Sequence, residues 1–196
     1  MNILNIEHIS KIFGEKVIFD DVSCGIQEGE KIGVIGINGT GKTTLLKLIA
    51  GTEEADAGQI IKQNGIRIAY LPQSPAFPED ATVLSYANEG IRENDWTAKS
   101  EVKSALTKLG ITDFDQKIEH LSGGQKKKVA LAKTLTSSFE VLLLDEPTNH
   151  LDSDMIAWLE DYLRKYKGVV VMVTHDRYFL DKVTNKILEI SRGKLY

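Results

Sequence analysis

Eight residues, Gly36-Ile37-Asn38-Gly39-Thr40-Gly41-Lys42-Thr43, follow directly on the apolar run Lys31-Ile32-Gly33-Val34-Ile35. They precede a helix-spaced stretch from Thr43 to Ala50. The octet fits the phosphate-loop pattern G-x-x-x-x-G-K-[ST]. Strand, glycine loop and helix is the order such a loop requires, and it points to an α/β fold. Gly36, Gly39 and Gly41 let the backbone turn tightly and bring its N–H groups against phosphate oxygens. The helix that follows aims its positive end at the same place. Lys42 is expected to reach the β- and γ-phosphates, and Thr43 to bind Mg²⁺.

The rest of the chain supports that class. Leu45, Leu46, Leu48 and Ile49 form a core face on the helix, and Gly51 reads as its stop. Residues 2–35 read as short strands with turns at 13–16 and 27–30, and 59–61 and 66–70 as two more strands. From Pro72 to His120 the character changes. Pro72, Pro75 and Pro78 make an irregular entry; 83–91 and 100–109 then have helical spacing, with a stop at Gly110. We read a helical subdomain, approximately residues 74–138, inserted into one domain spanning 1–196. It includes a helix over 126–137. Strand 140–145, helix 153–166 and strand 169–173 make a β-α-β crossover, which favours a parallel sheet. A helix near 176–182 and a strand at 186–190 close the domain.

Two further segments carry chemistry. Val141-Leu142-Leu143-Leu144-Asp145-Glu146 reads as a buried strand ending in two acids beside the glycine loop. Asp145 is placed to hold Mg²⁺ through water, and Glu146 to orient or deprotonate an attacking water. A solvated acidic strand end is the plainer reading of those acids alone. Pro147 next and the glycine loop upstream favour the chemical one. Ser122, Gly123 and Gly124 can cradle an anion through a hydroxyl, backbone N–H groups and a helix start. Lys126-Lys127-Lys128 reads by default as a solvated helix face, with a contact to RNA or a partner as the alternative.

Composition sets limits. The net charge of −4 argues against a globally basic nucleic-acid binder, though not against a local basic patch. The single cysteine, Cys24, rules out an intrachain disulfide, and its place in a strand suggests a buried small side chain. No apolar run reaches the ~18–20 residues that span a bilayer, and the start lacks the regions of a signal peptide. A cytoplasmic protein without direct membrane insertion is expected.

The glycine loop, Leu121-Ser122-Gly123-Gly124-Gln125 and the acid-ended strand, in this order, resemble the nucleotide-binding domain of an ATP-binding-cassette (ABC) protein. The resemblance implies a P-loop cassette. Its parts are a mixed or parallel core sheet, an N-terminal antiparallel part and a helical subdomain. Its cofactors are ATP and Mg²⁺, and its reaction is ATP hydrolysis completed by a facing cassette. Ser122, Gly123, Gly124 and Gln125 then cap ATP held by the second cassette, and Asp152 belongs to the nucleotide-binding set. His175 becomes the histidine that touches the γ-phosphate. Gln73, in Tyr70-Leu71-Pro72-Gln73, matches the loop that senses Mg²⁺ and the catalytic water. Phe13 stands where the family carries an adenine-stacking aromatic, more often Tyr. Asn38, Thr40 and Thr44 join the nucleotide-binding set. Glu146, His175, Gln73 and Lys42 form the catalytic set, and Thr43, Gln73 and Asp145 the metal set.

Pro147-Thr148-Asn149-His150-Leu151-Asp152 resembles the ABC-F class in particular, and 173–181 strengthens the likeness. The class consists of soluble two-cassette proteins that bind the ribosome near the tRNA exit site. That implies rRNA, tRNA and a second cassette as partners. Two departures stand out. The chain ends where a first cassette would end, as an N-terminal fragment lacking linker and second cassette would. And 74–120 is only long enough for the ordinary helical subdomain, so an inserted arm is either very short or removed. The alternatives are the ATPase subunit of a membrane transporter, or an ATP-binding module inactive in isolation.

Overall fold

A computed structural model describes all residues, 1–196. Strands β1 (Asn2–Phe13) and β2 (Lys16–Gln27) pair antiparallel, and β4 (Ala57–Lys62) pairs with the other side of β1. Two twelve-residue strands thus stand where the sequence suggested several short ones. Register shifts around Ile6, Ile9 and Lys11 absorb the breaks in alternation that hid their length.

The second sheet contains β3 (Lys31–Ile35), β5 (Ile68–Leu71), β6 (Val141–Asp145), β7 (Val169–Val173), β8 (Lys186–Ser191) and β9 (Lys194–Leu195). Its order is β5-β6-β7-β3-β8-β9. The first five strands run parallel, and β9, absent from the sequence reading, returns antiparallel. The expected mixed core sheet and antiparallel N-terminal part are both present.

Six α-helices and one 3₁₀ helix (Ile118–His120) complete the chain: α1 (Lys42–Ala50), α2 (Val83–Ala87), α3 (Trp96–Lys108), α4 (Gly123–Thr136), α5 (Ser153–Lys165) and α6 (Arg177–Val183). Three boundaries differ from expectation. α2 stops at Ala87 rather than continuing to residue 91, with Asn88 as its C-cap and Gly90 beyond at φ 82°. α3 starts at Trp96, because the Asp95 carboxylate accepts from the Ala98 N–H at 3.0 Å. α4 starts at Gly123 rather than Lys126, for a reason that belongs to the site.

Both faces of the core sheet are covered, which explains its nearly continuous apolar strands. Leu142, Leu144, Val170 and Met172 face a core shared with α2, α3, α4, α5 and α6. Val141, Leu143, Val169, Val171 and Val173 face the other core, with α1 and the antiparallel sheet. Cys24 is half-buried against this second core, not fully buried. No helix is long and apolar enough to cross a membrane.

Candidate active site

Parallel strands put their C-terminal ends on one edge of a sheet, where loops can converge. Here β3 runs into the glycine loop, β5 into Pro72-Gln73, β6 into Asp145-Glu146 and β7 into Thr174-His175. Together they open a cleft of about 570 Å³. Of the expected residues it is lined by Phe13, Asn38, Gly39, Gly41, Lys42, Thr43, Thr44, Gln73, Asp145, Glu146 and His175.

The loop is built for an anion. α1 begins at Lys42 with no side chain capping its N-terminus, so its first N–H groups lack that partner. The preceding Gly41 has φ 107°, and a Cβ there would lie 2.4 Å from Ile18 Cγ2. Only glycine lets the loop sit this close to β2. The Lys42 ammonium donates to the carbonyls of Gly36 at 2.5 Å and Ile37 at 3.2 Å. Thr40 donates to the Ile37 carbonyl at 2.7 Å. Gly36 and Thr40 therefore shape the loop without lining the cleft.

Asp145 is 1% exposed. Its Oδ2 accepts from the Thr43 hydroxyl at 2.8 Å, while its Oδ1 is buried with no partner. Burial pushes this carboxyl above the usual carboxylate range. The Thr43 hydrogen bond, Lys127, Lys47 and Lys42 pull the other way. An orphaned carboxylate oxygen is costly, and a cation beside Thr43 and Asp145 would satisfy it.

Glu146 is also buried and adopts φ 52°, unusual for a residue with a side chain. Its N–H donates to the Val173 carbonyl at 2.7 Å, one step past the β6–β7 ladder. That bond turns the carboxylate into the cleft, where Oε1 stands 3.1 Å from Nε2 of the exposed His175. His175 is steadied by its neighbours. The Thr174 hydroxyl accepts from the Asp176 N–H at 3.1 Å, and Asp176 caps α6 by accepting from Phe179 at 3.0 Å.

The signature segment lies elsewhere. The Ser122 hydroxyl accepts from the Gln125 backbone N–H at 3.2 Å, and the Gln125 side-chain Oε1 accepts from the Ser122 N–H at 3.0 Å. This capping box starts α4 at Gly123 despite two glycines. None of Ser122, Gly123, Gly124 and Gln125 lines the cleft of its own chain. Gly124 instead abuts His150, whose ring would lie 3.1 Å from an added Cβ. Asp152 is exposed, caps α5 by accepting from Met155 at 2.9 Å, and stays outside the cleft too.

Three cleft residues escaped the sequence reading: Lys16, Ile18 and Val173. Lys16 pairs across the hairpin with Phe13 and donates to the Gly39 carbonyl at 2.6 Å. The expected turn at 13–16 held the signal, since it sets these two side by side. A fourth correction concerns Lys127. It is buried, not solvated, and donates to the Asp145 carbonyl at 3.1 Å. Burial lowers its pKa, against the pull of Asp145 and Glu146.

Comparison with known proteins places the chain. The family model described as ABC transporter matches residues 19–149. An uncharacterised ABC transporter ATP-binding protein, YfmR of Bacillus subtilis, is 43% identical over 234 positions, covering 100% of this chain and 37% of the relative. The match is longer than this chain, so the relative carries residues with no counterpart here. The energy-dependent translational throttle protein EttA of Haemophilus influenzae is 39% identical, over 90% of this chain and 39% of its own length. The chain thus spans well under half of the curated relatives it matches. A solved ATP-binding subunit of an ABC transporter superposes with TM-score 0.86 at 23% identity, covering 98% of this chain and 88% of that one, a likeness of fold. A solved RNase-L inhibitor superposes at 0.81 with 30% identity, covering 99% and 39%. The chain belongs to the ABC transporter family, as an ATP-binding cassette of the ABC-F type.

Proposed function

We propose that this cassette binds Mg²⁺-ATP and hydrolyses it against a facing cassette, within a protein acting on translation. The observation that carries the reading is the pairing at the sheet edge: Thr43 with the half-satisfied Asp145, beside Glu146 with His175. The donor set suits Mg²⁺. No cluster of three or more His, Cys, Asp or Glu exists to cage a metal. Mg²⁺ is characteristically held by one or two protein oxygens plus water and phosphates. Thr43 and Asp145 would hold it, with Gln73 reaching in from β5. When bound it neutralises charge on the phosphate oxygens.

The protein's own groups have distinct tasks. Phe13 stacks on the base. The loop N–H groups from Asn38 to Thr44, with Lys42, grip the phosphates. Glu146 takes the proton of the attacking water, and His175 holds the γ-phosphate side of the cleft while fixing the Glu146 carboxylate. The helical part, residues 74–138 in our division, carries Ser122 on the exposed start of α4. The Ser122 hydroxyl accepts one hydrogen bond and keeps its own proton to donate to a phosphate. Gly123, Gly124, Gln125 and Asp152 share that surface role, and the facing cassette's nucleotide is the partner we assign to them.

A mixing experiment tests this. Lys42→Ala removes the loop cation, and Ser122→Arg blocks the capping surface. Each variant alone should be inactive. Mixed, they form pairs with one intact composite site, and hydrolysis should recover. A mixture as inactive as its components would rule out the in-trans site. The translation role rests on the EttA relatives, named as energy-dependent translational throttle proteins.

A further inference from the structure

Lys127 is 8% exposed, on the second turn of α4, and forms no ion pair. Its side chain reaches the end of β6, where the ammonium donates to the backbone carbonyl of Asp145. That carbonyl and the Glu146 N–H belong to one peptide group. The N–H is already taken by the Val173 carbonyl at 2.7 Å. The peptide is therefore clamped from both sides, by β7 through its hydrogen and by α4 through its oxygen.

The place of the clamp matters. β5 pairs with β6 only as far as Leu144, so the Asp145 carbonyl lies past that ladder. Immediately after it the chain turns to φ 52° at Glu146. A neutral donor could satisfy one carbonyl, and burying an ammonium costs far more than burying a neutral donor. The cation is the element that needs explaining. It stands behind two buried carboxylates on adjacent residues, whose mutual repulsion a cation offsets.

We propose that Lys127 is a positioning residue for hydrolysis: it fixes the Asp145–Glu146 peptide and so holds the Glu146 carboxylate at the water side of the cleft. The proposal rests on the ATPase reading above for its kinetic part. Its structural part stands without turnover.

Lys127→Met keeps the aliphatic stem and removes donor and charge; Lys127→Arg restores both. In isotope-labelled chain, the Asp145 carbonyl carbon and Glu146 amide resonances should shift in the Met variant and move back toward wild type in the Arg variant. ATP affinity by calorimetry should stay within about threefold of wild type, because Lys127 does not line the cleft. The rate constant for hydrolysis should fall by about tenfold or more, with partial recovery in Lys127→Arg. Should the Met variant not fold, Lys127→Leu carries the same test, as an apolar side chain with neither donor nor charge. A folded Met or Leu variant with unmoved resonances and a wild-type rate overturns the proposal. If the wild-type chain shows no hydrolysis, the ATPase reading fails, and the resonances still decide whether Lys127 holds the peptide.

Discussion

Glu146 pays for its position in backbone energy. A left-handed φ of 52° costs a residue with a Cβ about 1–2 kcal/mol, and glycine would avoid that cost. An acid kept here, buried and 3.1 Å from His175, fits a group retained for its carboxylate. Glu146→Gln preserves volume and can still hydrogen-bond His175, but it cannot take a proton. ATP affinity should hold while hydrolysis drops by roughly 10²–10⁴-fold, the usual worth of a general base. Calorimetry and phosphate release measure the two separately, and equal losses in both would contradict the base assignment. Phe13 offers a different check. The residue lines the cleft and is 45% exposed, with the Lys11 ammonium 4.9 Å from the ring centroid. Phe13→Ala should weaken ATP binding by about 1–3 kcal/mol, on the scale of base–aromatic stacking, and leave the melting temperature nearly unchanged. Unaltered affinity would move the base elsewhere.

Among the elements, what the sequence made legible was what local backbone constraints dictate. The glycine loop, the strand ending in Asp145-Glu146 and the strand before His175 were each found within a residue or two of their place. The start of α4 was missed because two glycines disfavour helix locally, whereas the Ser122–Gln125 capping box outweighs them. Lys127 was missed because a run of three lysines suggests solvent. Helical spacing did hold the answer, for Lys127, Ala130, Leu131, Thr134 and Leu135 fall on one buried stripe. The joint between β5 and β6 was invisible, since Arg67 and Glu140 lie far apart in sequence. The Glu140 carboxylate accepts from the Arg67 guanidinium at 2.6 Å and from its backbone N–H at 2.7 Å. The Arg67 side chain foremost, then its N–H, lower the Glu140 pKa below 4.5. A lowered carboxylate pKa stabilises the fold above the unfolded value and ceases to do so as pH falls through the folded one. Arg67→Met should therefore melt slightly below wild type at neutral pH. The gap should close in acid, below pH 4.5. A gap of constant size across that range would mean that the ion pair is not its source.

At the scale of the whole molecule, the cassette has a cleft on one surface, and the Ser122–Gln125 segment does not reach it. Ser122 and Asp152 are exposed, and neither lines the cleft of its own chain. The proposed facing cassette would account for both facts, with ATP making contacts to two cassettes at once. Such a ligand favours the closed arrangement only through contacts absent from the open one, and γ-phosphate loss removes them. In a protein of the relatives' length, closure would then set the shape presented to the translation machinery. If a protein of that length carries a second cassette, Glu146→Gln with the matching change there should hold it closed in ATP, because binding survives and cleavage does not. It should co-sediment with ribosomes in ATP and separate from them in ADP. To shift a two-state equilibrium from mostly open to mostly closed needs a difference of roughly 10⁴-fold in affinity between states, so the contrast should be large. Equal ribosome occupancy in ATP and ADP would break the link between nucleotide and shape. Retention on membranes with no ribosome association would instead make this cassette the motor of a transporter, with α2, α3 and α4 as the surface to probe for the membrane partner.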